Sequence, residues 1–226
     1  MTTSILANSG NFHNLLTYKK AEVIYDLTFW FCGRYLSHGD RTIDQMIQAA
    51  RSGKQNIAEG SAASATSSET EIKLVNVAKA SFKELLADYE DWLRVRGKHQ
   101  WEQNSKELEA MRRLGRAHDD SAFFVSMAET RPPETVANMT IILLKQEDYL
   151  LARQLKALEE TFRKHGGIRE RMHAARTESR AEGWDKAMYS RLDLAETPED
   201  LAKRAADMRT ALERAISAVR RKKGWA

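Results

Sequence analysis

The sequence predicts an all-α protein, an up-down antiparallel four-helix bundle with an inserted excursion of short helices and a C-terminal helical extension. Three observations support this prediction. Apolar residues recur at three- and four-residue steps over long stretches, which is the spacing of one helix face. Prolines and glycines are few, 3 and 11 in 226 residues. Short polar links join the first three periodic stretches, and such links make neighbouring helices antiparallel.

The four long helices are expected at about 15–36, 41–59, 68–96 and 133–165. The first carries Phe29 and Trp30 outside its main apolar stripe. This width predicts a second contact, either with a later segment of the chain or with another subunit. Asp40 or Thr42 can cap the second helix at its start. Gly60 can close that helix in the left-handed conformation, which glycine adopts without a steric clash.

The third helix has signals at both ends. Ser68 and Glu71 have the spacing of a capping box, in which each side chain binds an unpaired amide at the helix start. Gly97 is expected to end the helix. The second and third helices are separated only by a short break rich in Ser, Ala and Gly. Together they are expected to form a helical hairpin.

Residues 97–131 form the predicted excursion between the third and fourth long helices. Short helices are expected at 101–116 and 121–129, because a few apolar anchors recur there at helical spacing. Pro132 or Pro133 then lies near the first turn of the fourth helix, where a missing amide costs little.

The basic character of the chain lies in its C-terminal third. The net charge of the whole chain is +4, whereas residues 163–226 hold 16 Lys and Arg against 10 Asp and Glu. Residues 14–167 are expected to form the bundle and residues 168–226 a basic helical extension. The last amphipathic helix, Leu201 to Val219, cannot be stable alone in water. It is expected to pack within the assembly or to join a partner.

Cysteine use and the N-terminal sequence predict a soluble cytoplasmic protein. Cys32 is the single cysteine, which excludes an internal disulfide and a multi-cysteine metal site. We expect it to be a buried, inert thiol. The first residues lack the charged head and apolar core of a signal peptide, and no apolar run reaches membrane-spanning length.

No pattern in the sequence indicates an enzyme. The only Glu-x-x-His pair, Glu170 and His173, lies in a polar Arg-rich segment rather than on a core helix, so a solvated face is the better interpretation. No His-Glu-x-x-His motif and no Gly-rich phosphate loop occurs. The sequence therefore predicts no catalytic residue, no metal and no cofactor. A metal-dependent enzyme is the weakest of the hypotheses.

Clustered cations are the strongest functional signal. Phosphate binding requires clustered cations that release counterions, and arginine adds bidentate geometry. The candidate nucleic-acid-binding residues are Arg51, Lys54, Arg94, Arg96, Arg169, Arg171, Arg176, Arg180, Arg220, Arg221, Lys222 and Lys223. For Arg94 and Arg96, attraction to the C-terminal end of the helix dipole is an equally good explanation.

One block of the sequence resembles a known family. It contains Gln45, Ala49, Ala50, Ser52, Asn56, Ile57, Ala58, Glu59 and Gly60, followed by Ser67, Ser68, Glu69 and Glu71. The block is similar to that of the four-helix-bundle family of 23S ribosomal RNA intervening-sequence proteins, which includes the accessory variability determinant of diversity-generating retroelements. The chain looks like the longer subgroup, which has a four-helix-bundle suffix domain. The resemblance covers residues 14 to about 180.

The resemblance implies an up-down bundle that assembles into a homopentamer, has no enzymatic activity and binds nucleic acid and a reverse transcriptase. The matching residues that we single out are Gln45, Asn56, Glu59, Gly60, Ser68 and Glu71. We interpret them as mainly structural, with Asn56 and Glu59 hydrogen-bonding the turn between helices; a partner-binding surface is the alternative. The sequence as a whole predicts an oligomeric adaptor for RNA or DNA. The competing hypothesis is a protein–protein interaction module that binds no nucleic acid.

Overall fold

A computed structural model describes residues 12–167, 170, 172–180, 202–210 and 213–214. All regular structure within these residues is helical, so the chain is an all-α protein. The chain divides into two compact units, Met1–Met172 and His173–Ala226. None of the helices in the described ranges is long and apolar enough to cross a membrane.

Between residues 12 and 167, the first unit contains one short 3-10 turn and six α-helices. The turn is Phe12–Asn14, and the helices are α1 (Leu16–Tyr35), α2 (Arg41–Ala63), α3 (Ser68–Val95), α4 (Lys106–Ala117), α5 (Ser121–Glu129) and α6 (Pro133–His165). α1 and α3 each pack against both α2 and α6, while α4 lies on α6 and α5 lies on α1. In the second unit, residues 173–180 and 202–210 are helical and largely exposed.

α2 and α3 form an antiparallel hairpin that depends on small residues. A Cβ atom on Gly53 would lie 2.4 Å from the Phe82 ring, so only glycine fits there. A Cβ atom on Gly60 would lie 3.4 Å from Leu74 Cβ. The prediction that Gly60 closes α2 is wrong, because the helix continues to Ala63. Gly60 is buried inside the helix, and an added Cβ there would be in ordinary contact with the first turns of α3.

The N-cap of α3 lies one residue before the predicted cap. Ser67 is the N-cap, and its hydroxyl oxygen accepts hydrogen bonds from the Thr70 amide at 3.1 Å and the Thr70 hydroxyl at 2.9 Å. The predicted capping box of Ser68 and Glu71 is therefore wrong, since Ser68 is already the first helical residue. Glu71 is half-buried, and burial raises the pKa of its carboxyl.

The end of α3 agrees with the prediction for Gly97. Gly97 has a φ of +62°, its amide donates to the Arg94 carbonyl at 3.1 Å, and the Lys98 amide donates to the Leu93 carbonyl at 2.9 Å. This pair of bonds is the Schellman motif, which glycine permits because it has no side chain to clash.

The excursion is less helical than predicted. α4 begins at Lys106 rather than at Trp101. The Ser105 hydroxyl caps it by accepting a hydrogen bond from the Leu108 amide at 3.2 Å. The Trp101 amide instead donates to Asn138 Oδ1 on α6, at 2.8 Å. This long-range bond holds the loop on α6, and the helix begins only after the N-cap Ser105. The prediction of α5 at 121–129 is confirmed.

Candidate nucleic-acid interface

An open groove runs along the outer side of α1 where α5 packs on it. Its volume is about 850 Å³. We call it the aromatic groove; its lining residues are Tyr25, Asp26, Phe29, Trp30, Gly33, Arg34, Ser121, Ala122 and Val125. The Phe29 side chain is 60% exposed. A large exposed aromatic ring beside an apolar groove indicates an interaction surface.

The helical spacing of α1 explains why these rings face outward. The core stripe of α1 contains Ile24, Leu27 and Phe31, all fully buried. Tyr25 and Phe29 are one turn apart on a neighbouring face, with ring centroids 6.4 Å apart. The predicted second contact of α1 is thus partly provided by α5. Phe29 remains exposed beyond it.

One predicted basic residue contacts the aromatic groove, and a second shares its helix face. Lys54 Nζ on α2 lies 4.5 Å from the centre of the Tyr25 ring, at the distance of a cation–π contact. Arg51 precedes Lys54 by three residues and is exposed, so it shares that face of α2. The aromatic groove, Arg51 and Lys54 together are called the aromatic–basic surface below.

Arg94 and Arg96 lie at the C-terminal end of α3. Arg94 donates two hydrogen bonds to Asp91 Oδ1, at 2.8 and 3.1 Å, on the same helix. Arg96 lies over the Trp92 ring at 4.8 Å. Its charge also contributes to the lowered pKa of Asp40, which is caused first by the hydrogen bonds from Thr42. Both arginines therefore contact side chains of α3.

The structure does not bring these two arginines together with Arg51. Arg96 is near Asp40, the N-cap of α2. Arg51 lies three turns further along α2, roughly 16 Å at 1.5 Å per residue. In the second unit, Arg176 and Arg180 are exposed on one helix. The predicted residues Arg169, Arg171, Arg220, Arg221, Lys222 and Lys223 lie outside the described side chains.

The residues of the family-like block act mainly within the hairpin. Asn56 Nδ2 donates to the Ser52 carbonyl at 2.8 Å and to its hydroxyl at 3.2 Å, and the Ser52 hydroxyl is 3.0 Å from that of Ser81 on α3. The prediction that Asn56 binds the inter-helix turn is wrong, because its amide reaches back one turn within α2. Gln45 and Glu59 are exposed on α2.

Two buried charged residues were missed at the sequence level. Lys20 on α1 is 2% exposed, and its Nζ donates to the Gly115 carbonyl on α4. Glu147 on α6 is fully buried, and neither of its carboxyl oxygens has a hydrogen-bond donor among the described residues. Burial lowers the pKa of Lys20 and raises the pKa of Glu147 well above its ordinary value; the charge of each partly opposes the shift of the other.

A signal for both residues is present in the sequence. Lys20 is four residues from Leu16 and from Ile24, so it interrupts the apolar stripe of α1. Glu147 interrupts the stripe of α6 in the same way, between Leu143 and Leu151. A charged residue at a stripe position is unusual in a core and indicates a buried polar site.

The described residues show no arrangement typical of catalysis. No group of three or more His, Cys, Asp or Glu side chains within them could hold a metal ion. Burial raises the pKa of the Cys32 thiol to about 12, which keeps it protonated near neutral pH and disfavours a nucleophilic role. Glu170, the acidic residue of the Glu-x-x-His pair, accepts a hydrogen bond at its Oε2 from the Gly167 amide at 2.9 Å.

Comparisons of the chain with protein-family models, with curated proteins and with solved structures gave no match.

Proposed function

We propose that the protein is a non-enzymatic helical adaptor that binds single-stranded nucleic acid on the aromatic–basic surface. The observation that carries this proposal is the position of Lys54, 4.5 Å above Tyr25 at the edge of a groove that exposes Phe29. Proteins that bind single strands combine aromatic rings, on which bases stack, with cations that follow the phosphates. Arg34 lines the groove, and Arg51 is a further exposed cation on the same face of α2 as Lys54.

The proposed scaffold is an up-down antiparallel four-helix bundle of α1, α2, α3 and α6. Each of these helices packs against two of the others, which closes a ring of contacts. The Thr17 hydroxyl near the start of α1 donates to Gln154 Oε1 late in α6, at 3.0 Å. The Tyr35 hydroxyl at the end of α1 donates to the Arg131 carbonyl just before α6, at 3.0 Å. These bonds support opposite directions for α1 and α6.

The assembly and partners of this adaptor are proposed from the family resemblance. The proposal includes a cytoplasmic homo-oligomer, a pentamer by resemblance, and a partner that processes nucleic acid, such as a reverse transcriptase. The exposed Phe29 also favours a second candidate, a protein–protein interaction module, because an apolar groove can accept another chain. Binding of nucleic acid distinguishes the two.

Fluorescence anisotropy with a labelled single-stranded RNA tests the proposal on the full chain. Phe29→Ser should weaken binding about tenfold, because stacking is worth roughly 1–3 kcal/mol per base. The double variant Arg51→Gln/Lys54→Gln should reduce the slope of log affinity against log salt by about 1.4, the value for two phosphate contacts to a single strand.

Matched controls make this result specific to the surface. Phe162→Ser removes an exposed aromatic ring on α6, and Lys83→Gln/Arg113→Gln removes two exposed cations on α3 and α4. Both controls should bind RNA like the wild type. Absence of RNA binding at low salt, or equal losses in test and control variants, would reject nucleic-acid binding on this surface.

A further inference from the structure

A cavity of about 550 Å³ lies between α1, α4, α6 and the loop that holds Trp101. Its apolar walls include Leu108, Ile141 and Ile142. All three side chains are largely buried, so the cavity continues into the core rather than lying flat on the surface. Small-molecule sites are typically concave and mostly apolar, with volumes of roughly 300–1,000 Å³.

The charged residues that line this cavity are all cations: Lys20, Arg112, Arg116 and Lys145. No Asp or Glu is among the described lining residues. Lys145 forms an ion pair with Glu90 at 3.4 Å. Arg112 and Arg116 are exposed and form no ion pair with any residue in the described ranges. The charged side chains of the cavity wall are therefore all basic, although the charges of Glu147 and Asp119, which are not in the wall, also act on Lys20.

Lys20 has hydrogen-bonding capacity that the protein does not use. An ammonium group has three donors, and the only hydrogen bond of Lys20 within the described residues goes to the Gly115 carbonyl. The side chain is almost completely buried. A buried charge is costly unless it is paired and hydrogen-bonded. An anionic group in the cavity would offset this cost by accepting the remaining bonds.

We propose that this cavity binds an amphipathic organic anion, an apolar body that carries one carboxylate or phosphate group. The apolar body lies against Leu108, Ile141 and Ile142. The anionic group is held by Lys20 and by the guanidinium groups of Arg112 and Arg116, whose planar donors match a carboxylate or phosphate. The site lies on a different side of α1 from the aromatic–basic surface and does not depend on the proposed function.

A pair of fluorescent probes with the same aromatic body tests the proposal. 1-Anilinonaphthalene-8-sulfonate carries one negative charge, and N-phenyl-1-naphthylamine carries none. Titration of the full chain should show tighter binding of the sulfonate. Arg112→Gln/Arg116→Gln should weaken the sulfonate about tenfold or more, which corresponds to the loss of a charge-assisted hydrogen bond, and should leave the affinity for the neutral probe nearly unchanged.

Two further variants separate the cavity from general surface charge. Arg113→Gln removes an exposed arginine of α4 that does not line the cavity, and it should have no effect. Leu16→Glu places a carboxylate at the mouth of the cavity. Leu16 is exposed at the first turn of α1, where a negative charge favours the helix, so the variant should fold. It should weaken the sulfonate and spare the neutral probe.

Competition identifies the anionic group. Displacement of the sulfonate by decanoate but not by decanol indicates a carboxylate ligand, and displacement by decyl phosphate alone indicates a phosphate ester. The proposal is overturned if wild type binds both probes equally, if Arg113→Gln weakens the sulfonate as much as the Arg112 and Arg116 double variant, or if neither decyl anion displaces it.

Discussion

The α2–α3 interface and the α1–α6 interface use opposite kinds of residue. Between α2 and α3, Gly53 leaves room for the Phe82 ring, Gly60 faces the first turns of α3, and one pair of serines joins the two helices. Between α1 and α6 the chain buries Lys20 and Glu147, which form no ion pair with each other within 4 Å. Burial of such groups is costly in their charged forms. The first interface is arranged for packing, and the second buries two titratable side chains.

A glycine substitution at the α2–α3 interface should have the largest effect on the stability of the protein. Gly53→Ala places a methyl group against the buried Phe82 ring and should destabilise the protein by about 1–3 kcal/mol. Gly33→Ala is the matched control, because no atom lies within 4 Å of the added Cβ in helix α1. It should stabilise by about 0.5–1 kcal/mol. Chemical denaturation measures both, and equal effects would contradict the close α2–α3 contact.

Glu147 should make stability fall as pH rises. Its folded pKa is raised by burial, so between the ordinary Glu pKa and the folded value the native state holds a proton that the unfolded state has lost. Stability then decreases by up to about 1.4 kcal/mol per pH unit. Glu147→Gln should remove this slope, whereas the exposed Glu160→Gln should keep it. Parallel curves for wild type and Glu147→Gln, measured by denaturation from pH 4 upward, would contradict a buried protonated carboxyl.

The hydrogen bond between Ser52 and Ser81 should contribute a smaller but measurable coupling free energy to stability. Ser52→Ala and Ser81→Ala each remove one side of the 3.0 Å hydrogen bond between α2 and α3. A double-mutant cycle should give a coupling of about 0.5–1.5 kcal/mol. If the coupling is zero while partner or RNA binding falls, the family-like block is a binding surface rather than a structural one.

The smallest effect on stability should come from Phe29→Ser. The ring is mostly exposed, so its loss should change the free energy of unfolding by about 0.5 kcal/mol or less. RNA affinity should nevertheless fall as proposed above. A large loss of stability would instead show that Phe29 is packed against another part of the assembly.

The local features of the fold were predictable from the sequence. The spans of α1 and α3 differ from their predicted spans by at most one residue at each end, and α2 begins directly after its predicted cap Asp40, because apolar stripes and caps act within a few residues. Gly60 was misinterpreted because a glycine that closes a helix and a glycine buried inside a helix look the same in one sequence. Trp101 was misplaced because its hydrogen-bond partner, Asn138, is distant in the chain.

The candidate sites were predictable only in part. Arg51 and Lys54 were identified as a pair on one helix face, but the contact of Lys54 with Tyr25 requires α1 and α2 to pack side by side. The aromatic groove exists only because α5 folds back on α1. Lys20 and Glu147 interrupt apolar stripes in the sequence, yet their proximity depends on how α1 and α6 are aligned.

The most direct test of the proposed function is the mass of the full chain by light scattering, with and without single-stranded RNA, at low and moderate salt. We predict a multimer whose mass increases with RNA at low salt and returns to its RNA-free value as salt rises, because phosphate contacts depend on counterion release. Arg51→Gln/Lys54→Gln should keep the RNA-free mass and gain less RNA. A mass that does not change when RNA is added at low salt would contradict the proposal.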